Sequence, residues 1–170
     1  VLSFTLSEDF PKDLLHWRTS RPHSYDTSPL NSFPEDGSRF SGGIASGDAL
    51  QNVKLGTNDY FLDHLDQPGF YLICFAGALE ADKGIADTLR AAADASVRVN
   101  RVVVTPNGDR SAWPLADEVI VDSGGRTAAR YAAIPGTAYL VRPDQHVCAR
   151  WRRVNTRDFK QALSIGLGGS

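Results

Sequence analysis

From Asp59 onward the apolar positions fall into short, separately patterned runs. Gly69-Phe70-Tyr71-Leu72-Ile73-Cys74-Phe75-Ala76 is continuously apolar and bounded by Pro68 and Gly77, the pattern of a strand covered on both faces. Before it, residues 59–65 place Phe61, Leu62 and Leu65 on one side of a short helical turn. Residues 83–95 carry Ile85, Ala86, Leu89, Ala92 and Ala93 on one helical stripe with charges opposite. A second β-rich run, 98–105, contains Val102-Val103-Val104 and closes on Pro106-Asn107-Gly108-Asp109. Glu118-Val119-Ile120-Val121 predicts a short strand and 126–133 a short helix. Residues 137–142 and 147–153 read as two strands around Pro143-Asp144-Gln145, hence a hairpin. Residues 156–167 predict a closing helix capped by Asn155 or Thr156, with Phe159, Leu163 and Leu167 turned inward.

The resulting string is β-α-β-(β)-α-β-β-α. A right-handed parallel crossover, then a helix, a hairpin and a final helix, is the thioredoxin topology. Ile134-Pro135-Gly136-Thr137 stands directly before the hairpin, where such domains typically carry a cis proline, and X-Pro is the one linkage at which cis costs little. The expected class is therefore α/β and thioredoxin-like, a central mixed sheet with helices on both faces.

Residues 1–58 break this regularity. Pro11, Pro22, Pro29 and Pro34 are spread among Ser, Asp, Asn and Gly, with no sustained periodicity. Such a stretch does not bury enough apolar surface to fold alone. Yet Phe4, Phe10, Leu14, Leu15, Trp17, Tyr25, Leu30, Phe33 and Phe40 are more apolar bulk than a free linker carries. The expected organisation is an extended irregular N-terminal arm, 1–58, lying on its own domain or on a partner, followed by a thioredoxin-like domain, 59–170.

Composition narrows the class. The 170 residues are 42% hydrophobic and 22% charged, which suits one globular domain at about 150 residues per domain. Eighteen basic against twenty acidic residues, with no basic cluster, argue against nucleic-acid binding. No apolar run approaches the roughly 18 residues of a membrane span. The N-terminal residues lack the charged and apolar regions of a signal peptide, and the two distant cysteines form neither a CxxC nor a disulfide framework, so a cytoplasmic setting is expected. The chain begins at Val1 and contains no Met, which suggests processing or a fragment.

The chemistry of a redox thioredoxin requires a thiolate at the start of the helix after the first strand, where the helix dipole lowers its pKa. Here that stretch is Gly77-Ala78-Leu79-Glu80-Ala81-Asp82-Lys83, without a cysteine. Cys74 falls inside the buried strand and reads as a small apolar core residue, and Cys148 falls in the hairpin's second strand and reads as a core or edge residue. His16, His23, His64 and His146 show no ligand spacing, and the last two read as surface or satisfied core residues. Ser41-Gly42-Gly43 and Ser123-Gly124-Gly125 lack the strand-Ser-helix setting of a nucleophile elbow and read as turns. Asp59, Asp63 and Asp66 read as a solvated face. No GxGxxG or GxxxxGK[ST] is present. The expectation is no catalytic, cofactor-binding or metal-ligating residue in this chain.

One segment is more particular. Ala128-Ala129-Arg130-Tyr131, then Pro135-Gly136-Thr137-Ala138-Tyr139-Leu140-Val141-Arg142-Pro143-Asp144-Gln145-His146-Val147, and Ala149-Arg150-Trp151 resemble the C-terminal domain of FAD-dependent aromatic hydroxylases of the phenol 2-monooxygenase and 3-(3-hydroxyphenyl)propionate hydroxylase type. Tyr25-Asp26-Thr27-Ser28-Pro29-Leu30-Asn31 and Phe40-Ser41-Gly42-Gly43 resemble the linker that leaves the flavin domain in that family. The stretch from Leu55-Gly56 to Ile73 resembles the start of the appended domain. The resemblance implies a thioredoxin-like module without active-site cysteines, in a parent that uses FAD and NAD(P)H to hydroxylate phenolic substrates. It implies as partners the FAD/substrate domain and a second subunit. The family's flavin-binding glycine loop and its Gly-Asp-Ala-Ala-His stretch are absent; Gly47-Asp48-Ala49-Leu50 echoes only the start of the latter.

The resulting expectation is a non-catalytic module serving assembly, stability, or domain or subunit contact in a flavin-dependent monooxygenase. The alternatives are a thiol oxidoreductase or peroxidase using Cys74 or Cys148, and a binding module whose groove near Pro135 takes a peptide or small ligand. In the hairpin, Arg142, Arg150, Arg152 and Arg153 alternate with apolar residues, which predicts a strand face presenting guanidinium groups, a surface suited to protein contact.

Overall fold

The structure, a computed structural model, describes residues 23–32, 40–77 and 82–169. Of the sequence-level expectations, those for His16, for Phe4, Phe10, Leu14, Leu15, Trp17 and Phe33 of the arm, and for residues 78–81 before the first long helix lie outside the described residues.

The elements follow the apolar runs. A two-stranded ribbon, β1 (Lys54–Gly56) and β2 (Asp59–Tyr60), leads into a 3-10 turn, Phe61–His64. Then come β3 (Phe70–Phe75), α1 (Lys83–Ala93), β4 (Val99–Thr105), a 3-10 turn at Arg110–Ala112, β5 (Glu118–Val121), α2 (Arg126–Arg130), β6 (Ala138–Val141), β7 (Val147–Trp151) and α3 (Thr156–Gly166). The main sheet runs β5-β4-β3-β6-β7. β3, β4 and β5 are parallel, and β6 and β7 join antiparallel. This is a thioredoxin-like α/β fold.

Local chemistry explains the boundaries. The Asp82 carboxylate accepts the Gly84 and Ile85 N–H groups at 2.8 and 3.3 Å, satisfying donors that the first turn of α1 leaves free. Asn155 does the same for Asp158 N–H at 2.9 Å at the start of α3. Leu167, expected to face inward, is instead half exposed because α3 ends at Gly166 and Leu167 is its C-cap. β1 carries too short a pattern to be read in sequence; its pairing with β2 creates it.

Strand alternation splits the core in two. Phe70, Leu72, Cys74, Val103, Ala138 and Leu140 face α1 and α3, whose Ile85, Leu89, Phe159 and Leu163 complete that layer. Tyr71, Ile73, Phe75, Val102, Val104, Tyr139 and Val141 face the other way, onto Phe61, Leu65 and Tyr131. Ile44 and Leu50, upstream of the ribbon, belong to this second layer and are 1% and 7% exposed. Its rings meet edge to face, Tyr131 against Tyr139 at 5.4 Å and Phe61 against Tyr131 at 5.3 Å.

The described part of the N-terminal region lies on this same domain. Gly47 N–H donates to Val147 O at 2.8 Å, Val147 N–H to Asp48 O at 2.9 Å, and Ala49 bridges His146. Further back, Ser32 N–H donates to Cys148 O at 2.9 Å. The outer edge of β7 is thereby paired, which removes an exposed strand edge. Tyr25 N–H donates to Gly47 O at 2.8 Å, so the two passes of the chain also bind each other. Gly47 sits at φ 88°, and a Cβ there would come within 2.5 Å of the Tyr25 backbone, so only glycine fits this crossing.

Candidate functional site

Because β3, β4 and β5 run parallel, their carboxyl ends gather at one end of the sheet, where open α/β sheets bind ligands. A cavity of about 260 Å³ lies there. Phe75 and Ala76 come from the end of β3, Val104, Thr105 and Pro106 from the end of β4, and Asp122 from just beyond β5. Gly125 and Ala128 of the α2 segment and Ala133, Ile134 and Pro135 of the loop before β6 close it. The groove expected near Pro135 thus corresponds to an apolar cavity with one carboxylate in its wall. Ile134, at its margin, is 55% exposed. Both backbone groups of Ile134 are taken, its N–H by Thr137 Oγ1 at 3.1 Å and its carbonyl by Thr137 N–H at 2.9 Å. At Ile134, then, no strand edge is offered to an extended peptide. Trp113 is buried and Trp151 half-buried against the α1–α3 layer, so neither lines this cavity.

The thiols lie elsewhere. Cys74 is fully buried in β3 on the α1–α3 side. Burial, reinforced by the Asp82 charge, pushes its pKa far above that of a free thiol. Cys148 is buried in β7 with Sγ 3.0 Å from Leu30 O and 3.5 Å from Ala162 O, and burial raises it to about 11. Neither thiol lines the cavity. A thiol that stays protonated at neutral pH and has no access to solvent is not a nucleophile.

The arginines of the hairpin behave differently from the expected guanidinium-bearing face. Arg142 and Arg150 are buried, 6% and 8% exposed. Arg142 holds Asp144 at 2.6 Å and reaches Ser28 Oγ at 3.4 Å. Arg150 Nη1 donates to the Gly42 and Ile44 carbonyls at 3.1 and 3.0 Å. Its guanidinium lies 4.4 Å from the centre of the Phe40 ring, and that of Arg152 lies 3.9 Å from it, a double cation–π contact. Arg152 also donates to Ala132 O. The guanidinium groups therefore clasp the chain's own Ser28, Phe40, Gly42 and Ile44, and of the four only Arg153 is exposed. Strand alternation alone did not reveal this, because the carbonyls that accept these bonds come from over a hundred residues upstream.

Two histidines tie covering segments to the sheet. His64 Nε2 is 2.9 Å from Asp59 Oδ1 and its Nδ1 3.3 Å from Glu118 Oε1. Partial burial lowers its pKa, but the hydrogen bonds and charges of the two carboxylates outweigh this and leave it raised. Asp59, read in sequence as a solvated face, is thus half of an ion-pair clamp. His146 has Nδ1 3.0 Å from Asp144 O and Nε2 3.2 Å from His23 O, with Tyr25 stacked edge-on at 4.9 Å.

Gly47-Asp48-Ala49-Leu50, the echo of a flavin-contacting stretch, is the segment paired with β7, and Asp48 Oδ2 accepts Ala45 N–H at 3.1 Å. The backbone of this stretch is committed to the protein itself. The cavity, at about 260 Å³, falls below the ~300–1,000 Å³ typical of pockets for drug-sized ligands, and a dinucleotide is larger still. This cavity does not fit FAD. Among the described residues, no group of three or more His, Cys, Asp and Glu side chains could hold a metal ion, and no helix is long and apolar enough to cross a membrane.

No protein-family model matches the chain, and no curated protein matches it in sequence. Solved structures do match in fold. RebC-10x, solved native and bound to K252c, superposes with a TM-score of 0.55 at 22% identity, over 87% of this chain and 23% of that one. The rebeccamycin biosynthetic enzyme RebC with reduced flavin gives 0.56 at 20% over the same shares. The flavin-dependent monooxygenase PieE, in complex with FAD and substrate, gives 0.58 at 21%, over 88% of this chain and 26% of PieE. The peroxidoxin BcpB from Mycobacterium tuberculosis gives 0.52 at 16%, over 74% of this chain and 97% of BcpB. The chain thus spans about a quarter of the length of the flavin enzymes it matches. These likenesses establish the fold.

Proposed function

We propose that this chain is a non-catalytic thioredoxin-like module of a larger flavin-dependent monooxygenase that hydroxylates phenolic aromatic substrates. The observation that carries the reading is the conjunction of a fold shared with a quarter-length part of RebC and PieE and two thiols withdrawn into the core. FAD and NAD(P)H would be held by the parent outside this chain. The module's work is assembly and stability, through contacts with the FAD/substrate domain or a second subunit. With Arg142 and Arg150 spent on the chain's own linker, those contacts fall to other surfaces. The likeness to BcpB raises the thiol-peroxidase alternative; the absence of a cysteine in residues 77–83 and the raised, buried thiols weigh against it.

The test is the visible absorption spectrum and intact mass of the polypeptide isolated from its source. The expected result is a yellow protein with stoichiometric FAD, in which this sequence is part of, or bound to, a polypeptide larger than 18.5 kDa. A colourless chain of 18.5 kDa alone would overturn the reading.

A further inference from the structure

Asp122 is the one acidic or basic side chain in the wall of the cavity. It stands two positions beyond Ile120, so strand alternation turns it to the α2 side of the sheet, where Phe75 and Val104 also point. It is 7% exposed. Its Oδ2 accepts the Ala128 N–H at 2.9 Å, and no cationic side chain pairs with it among the described residues. A carboxylate has about four lone-pair sites, and this bond uses one. Arg126 and Arg130 are exposed and sit two positions either side of Ala128, which at 3.6 residues per turn places them on the far side of α2 from the cavity. A buried carboxylate without a cation is costly, and the space before it is otherwise apolar.

We propose that the cavity is a binding site for a small organic ammonium. An apolar body of about one ring fills the space between Phe75, Val104, Ala133 and Ile134, and the ammonium donates to the free oxygen of Asp122. An anion of the same shape is rejected by the carboxylate. A neutral alcohol keeps the apolar contacts but forfeits the charge, and charge-assisted hydrogen bonds are about twice as strong as neutral ones. This site does not depend on the flavin-enzyme reading.

The test titrates the full chain at neutral pH with benzylammonium, benzyl alcohol and benzoate, following the NMR signals of Ala128, Ala133 and Ile134. Benzylammonium is expected to shift these signals saturably, benzyl alcohol to bind at least about tenfold more weakly, and benzoate not to bind. Asp122→Asn keeps an acceptor for the Ala128 N–H but removes the charge, and is expected to weaken benzylammonium by about tenfold or more while leaving benzyl alcohol unchanged. Ala133→Leu, which keeps the carboxylate and fills the space, is expected to abolish binding of both, and decides the matter if the Asn variant fails to hold α2. Absent or displaced shifts, equal binding of amine and alcohol, or indifference to Ala133→Leu would overturn the proposal.

Discussion

Ile44 lies in an irregular stretch ten residues before β1, yet it is 1% exposed within the layer that holds Phe61, Tyr131 and Tyr139. If residues 40–50 are part of the folding unit, shortening this side chain should cost what a core truncation costs. Ile44→Ala removes three carbons, roughly 2.5 kcal/mol of transfer free energy at about 0.8 per methylene. The residual cavity adds to this, since the rings around it cannot collapse fully, and core Ile→Ala changes fall at about 2–5 kcal/mol. The expected loss is about 3 kcal/mol. Urea unfolding followed by tryptophan fluorescence, to which buried Trp113 contributes, reads it as a lower midpoint with an unchanged slope. In a thermal scan, about 2–4 °C per kcal/mol for a chain of this size translates to roughly 6–12 °C. Val121→Ala, at a side chain 49% exposed, serves as control and should stay within about 0.5 kcal/mol. An Ile44→Ala loss below about 0.5 kcal/mol would refute the reasoning. So would an early separate transition that leaves the main unfolding midpoint in place, because the linker would then be peeling from an independent domain.

Three further outcomes follow from the same structure. Gly47→Ala should destabilise by at least about 2 kcal/mol, since the new Cβ meets the Tyr25 backbone at 2.5 Å with φ at 88°; a neutral change by urea unfolding would contradict the tight crossing. Cys74 and Cys148 should resist a thiol-specific reagent at pH 8 until denaturant is added, and rapid labelling of either in the native protein would contradict their inertness. His64→Gln should lower stability in a pH-dependent way. The folded pKa of His64 lies above its usual value, so the clamp's contribution is complete below the unfolded pKa of about 6.5 and is lost as pH rises through the folded one. The gap between variant and wild type is thus expected to be widest at about pH 5.5 and to close in the alkaline range; a gap that widens with pH would oppose the assignment.

Element types and order were legible in the sequence because they depend on local chemistry. The apolar run 70–75, the helical stripe of Ile85, Leu89 and Ala92, the Asn155 cap and the turn between β6 and β7 each act within a few residues. The lack of a cysteine at the start of α1 was equally plain. Even there, Leu167 showed that a periodic pattern does not say where a helix stops.

What the tertiary structure decided is where groups find partners across the chain. Arg150 looks like a solvent-facing residue in an alternating strand. It is buried because the carbonyls of Gly42 and Ile44 arrive beside it from more than a hundred positions away. The same holds for His64, paired with Glu118 54 positions on, and for the cavity, whose wall gathers the ends of three strands with α2 and the Pro135 loop. By itself the sequence determined the elements and showed no cysteine at residues 77–83. Only the folded chain decided that Ile44 and Leu50 belong to the core, that the hairpin arginines are clasps, and that Asp122 faces an apolar space. Local patterns report how a residue partitions between water and core, whereas burial of a charge depends on acceptors that only long-range packing can deliver.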